Sequence, residues 1–203
     1  MMENDVSLDV GTQIDLGAIA KGYASDLLEA HLRRYGVERG IVELGGNVFL
    51  LGEKEDGAAW RVGVKDPNNV EQICGILNLK DAFAITSGGY QRNFEENGTV
   101  YHHIIDPATG CPAQSGLLSV TVVAPANGED YRGTEPGNGT MCDAFSTALF
   151  VMGEEKALDF WRNSNYDFEL VLVTEDGRIV TTAGLKERFT PVEESGYMYE
   201  TVA

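Results

Sequence analysis

The sequence predicts an α+β domain built on a largely antiparallel sheet with flanking helices, and three observations predict it. Strand-patterned segments follow one another along most of the chain, where a doubly wound fold would alternate them with helices. Only a few stretches carry the three- and four-residue apolar spacing of a helix. The 203 residues, 43% of them hydrophobic, suit one globular domain with a sizeable core, taken as residues 1–203.

The first helix is expected over 17–35, where Ile19, Ala20, Tyr23, Leu27, Leu28 and Leu32 recur on one face and Gly36 stops it. Ile14-Asp15-Leu16 reads as a short strand or an extended approach to that helix. Strands are expected over 40–51 and 60–64, around the turn signal Glu55-Asp56-Gly57, and again over 73–79 and 82–86 beyond the 65–69 loop. The β-branched run 117–124 gives way to 125–140, rich in Gly, Asn, Pro and charge, which reads as a surface loop. Helical spacing resumes over 143–152 with Phe145, Leu149 and Met152, and a second helix over 154–163 follows the break at Gly153. Residues 169–174, an Asp176-Gly177 turn and 179–183 read as a hairpin.

Asp and Glu outnumber Lys and Arg by 32 to 15, and the net charge of −17 argues against nucleic acid or anionic lipid as a partner. An anionic pyrophosphate ligand would need its charge offset, and in so acidic a chain a divalent cation is the natural means. Cys74, Cys111 and Cys142 show neither a zinc spacing nor a disulfide framework and are expected as small buried residues. No stretch approaches the apolar length of a membrane span, and residues 1–16 lack the basic and apolar regions of a signal peptide.

Five segments could carry chemistry. Asp15-Leu16-Gly17-Ala18-Ile19-Ala20-Lys21-Gly22 places a carboxylate at a helix entrance and a lysine in the second turn. Free amides there attract phosphate, although an ordinary capping Asp beside a solvated lysine explains the segment better when it is taken alone. The glycines of Leu44-Gly45-Gly46-Asn47 allow close approach of a flat ligand, or simply make a tight turn. Thr86-Ser87-Gly88-Gly89-Tyr90-Gln91-Arg92 offers a hydroxyl, amides and a guanidinium suited to phosphate oxygens.

His102-His103-Ile104-Ile105-Asp106-Pro107-Ala108-Thr109-Gly110 holds two of the three histidines. A histidine here could take a proton from a hydroxyl nucleophile, and a satisfied structural histidine is an equal alternative. Strand neighbours face opposite sides, so only one of the pair can enter a given pocket. Asp143-Ala144-Phe145-Ser146-Thr147 is expected to begin a helix, with Asp143 and Thr147 on one face and Ser146 nearby. These hard oxygens suit Mg²⁺, while a capping Asp and an embedded threonine are the plainer explanation in isolation. Asn97-Gly98-Thr99 and Asn138-Gly139-Thr140 match the N-glycosylation pattern but are common by chance and are set aside.

In this order, and extended through Tyr23-Ala24 and Ala148, the five segments resemble the ApbE family of FAD:protein FMN transferases, from about Asp15 to Gly184. The resemblance implies FAD as substrate, Mg²⁺ as cofactor, and transfer of FMN to a threonine hydroxyl of an acceptor flavoprotein with release of AMP. It implies that Asp15 and Lys21 contact FAD, that the Ala18 carbonyl reaches Mg²⁺, and that His103 is the catalytic histidine. Ile104 and Ile105 would line the flavin site, and Asp143, Ser146 and Thr147 would complete the metal site. Gly45, Gly46, Asn47, Ser87, Gly88, Tyr90, Arg92 and Thr109, in the same motifs, join the expected FAD-binding set. The acceptor suggested is a respiratory flavoprotein subunit with a Ser/Thr-containing motif, and the location suggested is extracytoplasmic or membrane-associated, with the cytoplasm as the alternative.

The chain departs from the family at Gly89 and Gln91, where acidic residues are common, and 127–140 looks like an insertion. The family's domain is expected to extend well upstream of the Asp-Leu-Gly motif and to supply part of the flavin and adenine pocket there, so the chain reads either as a fragment or as a shortened member whose pocket is incomplete or completed by a partner. Two other activities fit the same residues: an Mg²⁺-dependent FAD pyrophosphatase, in which water replaces threonine, and a non-catalytic flavin-binding fragment.

Overall fold

The computed structural model describes residues 6–90, 92–96 and 99–203; Gln91 and the Asn97-Gly98 pair lie outside them. The first helix, α1 (Ala20–Arg34), leads into the hairpin β1 (Gly40–Leu44) and β2 (Asn47–Leu51). Gly45 and Gly46 form its two-residue turn with φ of 56° and 97°, a backbone that the absence of a Cβ makes accessible. Next come β3 (Trp60–Asp66), β4 (Asn69–Leu79) and β5 (Ala82–Gly88), then the short pairs β6 (Asn93–Glu96) with β7 (Thr99–His102) and β8 (Ile105–Asp106) with β9 (Cys111–Pro112). After β10 (Leu117–Pro125) follow α2 (Asn138–Met152), α3 (Glu154–Asn163), β11 (Glu169–Thr174), β12 (Arg178–Thr182), β13 (Phe189–Pro191) and β14 (Met198–Val202).

The architecture is α+β. A seven-stranded sheet runs β1-β2-β5-β10-β11-β12-β14, antiparallel except where β12 pairs with β14, and a separate sheet runs β13-β4-β3. Alternation along β2 and β5 sorts side chains to two faces. Phe49, Leu51, Phe83 and Ile85 pack with Leu149 and Phe150 of α2, while Leu50, Ala82 and Ala84 pack with Leu77 and Leu79 of the smaller sheet. Asn47 and Ser87 therefore share the face covered by the helices; Val48 and Thr86 face the smaller sheet.

Three sequence expectations need correction. The face of α1 that is buried is polar, comprising Gly22, Ser25, Asp26 and Glu29, whereas Tyr23 and Leu27 are 42% and 41% exposed. This helix packs on the N-terminal end of α2, which demands hydrogen-bond acceptors rather than apolar contact. Helix α2 starts at Asn138, inside the expected loop and five residues before Asp143, so Asp143 lies in its second turn and is not a cap. Cys74 and Cys142 are buried, but Cys111 is exposed on the small β8–β9 hairpin, which has no core to offer it.

Candidate functional site

Neither α1 nor α2 carries a side-chain cap of its own. Asp15 does not supply one: it is exposed and accepts from the Gly17 amide at 2.6 Å, ahead of the N-cap at Ile19. Asp143 of α2 instead reaches across, and its Oδ2 accepts from the Gly22 N–H at 2.7 Å. In a helix continued backward, that amide would bond to the Ala18 carbonyl. Diverting it to Asp143 leaves the Ala18 carbonyl outside the ladder of α1, beside the first turn.

Asp143 is 2% exposed. Burial pushes its carboxyl above the usual range, while the Gly22 amide, the nearby Lys21 ammonium and Asn47 pull it back. One turn along, Ser87 Oγ lies 2.8 Å from Ser146 Oγ and 2.9 Å from Thr147 Oγ1. Asn47, wholly buried on the same sheet face, has neither amide atom in a hydrogen bond of acceptable geometry, although it lies close enough to favour the Asp143 carboxylate. An unpaired buried amide costs about 1–3 kcal/mol, so it marks a place where a polar ligand is due.

This chemistry fits Mg²⁺. Among the described residues no group of three or more His, Cys, Asp or Glu gathers to hold a metal. A single carboxylate with neutral hydroxyl and carbonyl oxygens matches the way Mg²⁺ is held when phosphate completes its shell. Asp143, Thr147, Ser146 and the Ala18 carbonyl are the groups that would hold it.

The two neighbouring histidines differ sharply. His102 Nε2 lies 3.0 Å from the Ala113 carbonyl, which can only accept, so Nε2 carries the proton; Nδ1 then accepts from the Ile104 amide at 3.3 Å. With its ring edge-on to Phe150, His102 is fully used in packing. A Cβ at Gly89 would come within 2.8 Å of that ring, so the acidic residue common in the resembling family would displace His102 here. His103 is exposed, and its Nδ1 lies 3.3 Å from the Arg92 carbonyl. By the same reasoning Nδ1 donates, and Nε2 keeps its lone pair.

The remaining expected residues fall into two groups. Gly45, Gly46, Tyr90 and Arg92 line a cleft of about 730 Å³ on the far face of the sheet. Arg61, Lys65 and Arg92 outnumber Glu43 among its charges, a local basic surface on a strongly acidic chain. The cleft and the Asp143 cluster thus lie on opposite faces, adjoining at the ends of β2 and β5. Gly88 is buried, where a Cβ would meet the Tyr90 ring at 2.5 Å. Ile104 is in the core and Ile105 is 48% exposed, so the pair cannot line one surface together. Thr109 spends its hydroxyl accepting from the Cys111 amide in the β8–β9 turn.

Sequence reading missed Asp26, Glu29 and Asn127. Asp26 accepts from the amides of Gly137, Gly139 and Thr140, from Thr140 Oγ1 and from Asn127 Nδ2. Glu29 accepts from the Asn127 amide and side chain and from Arg33 Nε. Two acids at i and i+3 beside Gly22 and Ser25 were the available signal, a polar stripe on a helix whose other face was read as the core.

A model of the ApbE family matches residues 3–172. The FAD:protein FMN transferase of Treponema pallidum is 37% identical over 187 residues, covering 88% of this chain and 48% of that protein. That of Klebsiella pneumoniae is 37% identical over 188 residues, covering 92% and 53%. Among solved structures, the ApbE protein of Thermotoga maritima superposes with a TM-score of 0.71 at 37% identity, covering 88% of this chain and 54% of that one. The flavin transferase ApbE of Vibrio cholerae gives 0.68 at 30%, covering 86% and 52%. The chain spans about half the length of the curated relatives it matches.

Proposed function

The chain belongs to the ApbE family, and from that premise we propose that it serves Mg²⁺-dependent transfer of FMN from FAD to a threonine hydroxyl of an acceptor flavoprotein, with release of AMP. The relatives are named for FAD and FMN, which supports the substrate. The observation that carries the reading is the cluster of Asp143, Ser146, Thr147 and Ser87 oxygens gathered beside the unpaired amide of Asn47.

Bound there, Mg²⁺ would offset the pyrophosphate charge and polarise the phosphorus under attack. Asp143 and the hydroxyls would hold the ion, and Lys21 would add positive charge beside the phosphates. Arg92 holds His103 Nδ1–H, leaving Nε2 to take the proton of the incoming threonine. The threonine oxygen then bonds to the FMN phosphorus, the bond from that phosphorus to the bridging oxygen breaks, and AMP departs with the electron pair.

The test incubates the full chain with FAD, Mg²⁺ and a threonine-containing acceptor flavoprotein, following acceptor mass and AMP. Acceptor heavier by one FMN for each AMP released is the expected result. Free FMN and AMP with an unmodified acceptor would replace transfer by hydrolysis. His103→Ala should slow transfer by about 10²–10⁴-fold with FAD affinity little changed, and undiminished transfer would remove His103 as general base.

A further inference from the structure

We infer that Asp26, a residue outside the motifs that suggest the function, is a positioning residue for this site: its carboxylate sets where α2 begins and thereby where Asp143 stands. The inference rests on the Mg²⁺-dependent reading above. A helix leaves its first amides without internal partners, and a buried start must find acceptors elsewhere. In α2 all of them come from outside the helix. The Asn138 amide goes to Asn127 Oδ1 at 2.6 Å, the Gly139 amide to Asp26 Oδ1 at 2.7 Å, and the Thr140 amide to Asp26 Oδ2 at 2.9 Å. The Gly137 amide and the Thr140 hydroxyl add two further bonds to Oδ2, at 2.9 and 2.6 Å. Asp26 is wholly buried.

The exchange is reciprocal. Helix α1 lends Asp26 to the start of α2, and α2 lends Asp143 to the Gly22 amide at the start of α1. Glycines make the contact close: a Cβ on Gly22 would stand 2.3 Å from the Gly139 carbonyl oxygen, and one on Gly139 would stand 2.6 Å from Asp26 Oδ1. Because Asp143 sits one turn beyond these bonds, a shift in the start of α2 carries Asp143, Ser146 and Thr147 with it. The poor helix formers Asn138, Gly139 and Thr140 supply little that would hold the first turn without Asp26.

Asp26→Asn keeps the size of the side chain but turns one acceptor oxygen into a donor facing N–H groups. The measurement is an Mg²⁺ titration of the full chain in the presence of FAD, read by flavin fluorescence, beside Leu185→Ala, a buried control on the other sheet face that lowers stability without touching either helix. The Mg²⁺ midpoint should rise about 10- to 100-fold in Asp26→Asn, as for other groups that orient metal ligands, and stay within about twofold in the control. An unchanged midpoint in Asp26→Asn, or an equal rise in Leu185→Ala, overturns the positioning role. Should Asp26→Asn not fold, Asp26→Glu, which keeps the acceptor oxygens but moves them by one methylene from the amides of Gly137, Gly139 and Thr140, decides: a raised midpoint supports the role and an unchanged one overturns it. Wild-type protein that binds FAD equally with and without Mg²⁺ removes the functional reading itself, and the positioning role with it.

Discussion

At Asp143 one carboxylate meets two demands that oppose each other. In the proposed role it would have to be charged to hold a cation, yet it is 2% exposed, and burial raises its pKa despite the Gly22 amide and Lys21. In the unfolded chain the group ionises at its ordinary value; in the fold it holds its proton to higher pH. As pH rises past the ordinary value, the unfolded chain loses its proton first, so stability falls until the folded value is passed and stays lower above it. Asp143→Asn should therefore raise Tm at neutral pH in Mg²⁺-free buffer, by roughly 2–4 °C for each kcal/mol regained, while abolishing the stabilisation that Mg²⁺ gives in the presence of FAD. Thermal melts with and without Mg²⁺ check both parts; a variant that melts lower without metal would mean the Gly22 bond outweighs the burial cost. The site was half legible at this scale. Two adjacent histidines could be told to face apart, but which one kept a free nitrogen depended on Ala113 and Arg92, whose carbonyls no local pattern connects to them.

At the scale of elements, regular periodicity was readable and tertiary capping was not. Strand β10 follows its β-branched run, β5 its strand pattern, β11 and β12 their hairpin signal, and α3 its helical segment after Gly153. The first turn of α2 was invisible because Asn138-Gly139-Thr140 has the composition of a loop, and its amides are satisfied by Asp26, 111 to 114 positions away, and by Asn127, 11 positions away. Strand β14 was missed because it pairs in parallel with β12 at the sheet edge, without a hairpin signal. The α1–α2 contact also makes a prediction. Gly22→Ala adds a methyl where the Gly139 carbonyl stands 2.3 Å away and Asp143 Cβ 2.6 Å away, both on a packed neighbouring helix. The helices must part, which should cost about 1–3 kcal/mol in chemical denaturation even though alanine favours helix. A stability equal to wild type would show that α2 shifts freely on α1.

Across the whole molecule, charge decides how a dianionic ligand arrives. The net charge of −17 acts at long range, whereas Arg61, Lys65 and Arg92 make only one cleft locally basic. The Debye length separates the two influences, being about 30 Å at 0.01 M salt and about 10 Å at 0.1 M. At the lower ionic strength an approaching FAD would feel the field of the entire chain and be repelled; at the higher it would feel mainly the groups nearest to it. In Mg²⁺-free buffer the association rate of FAD should therefore rise several-fold as NaCl goes from about 0.01 to 0.1 M, opposite to the usual behaviour of steered ligands. Stopped-flow flavin fluorescence reads this directly. A rate that falls with salt would mean that the basic cleft governs encounter even at long range, and that the acidity of the chain lies too far from the approach path to matter. Repeating the series with Arg92→Ala tests the local cation: its removal should lower the rate at both ionic strengths, and an unchanged rate would mean that the basic cleft lies off the approach path.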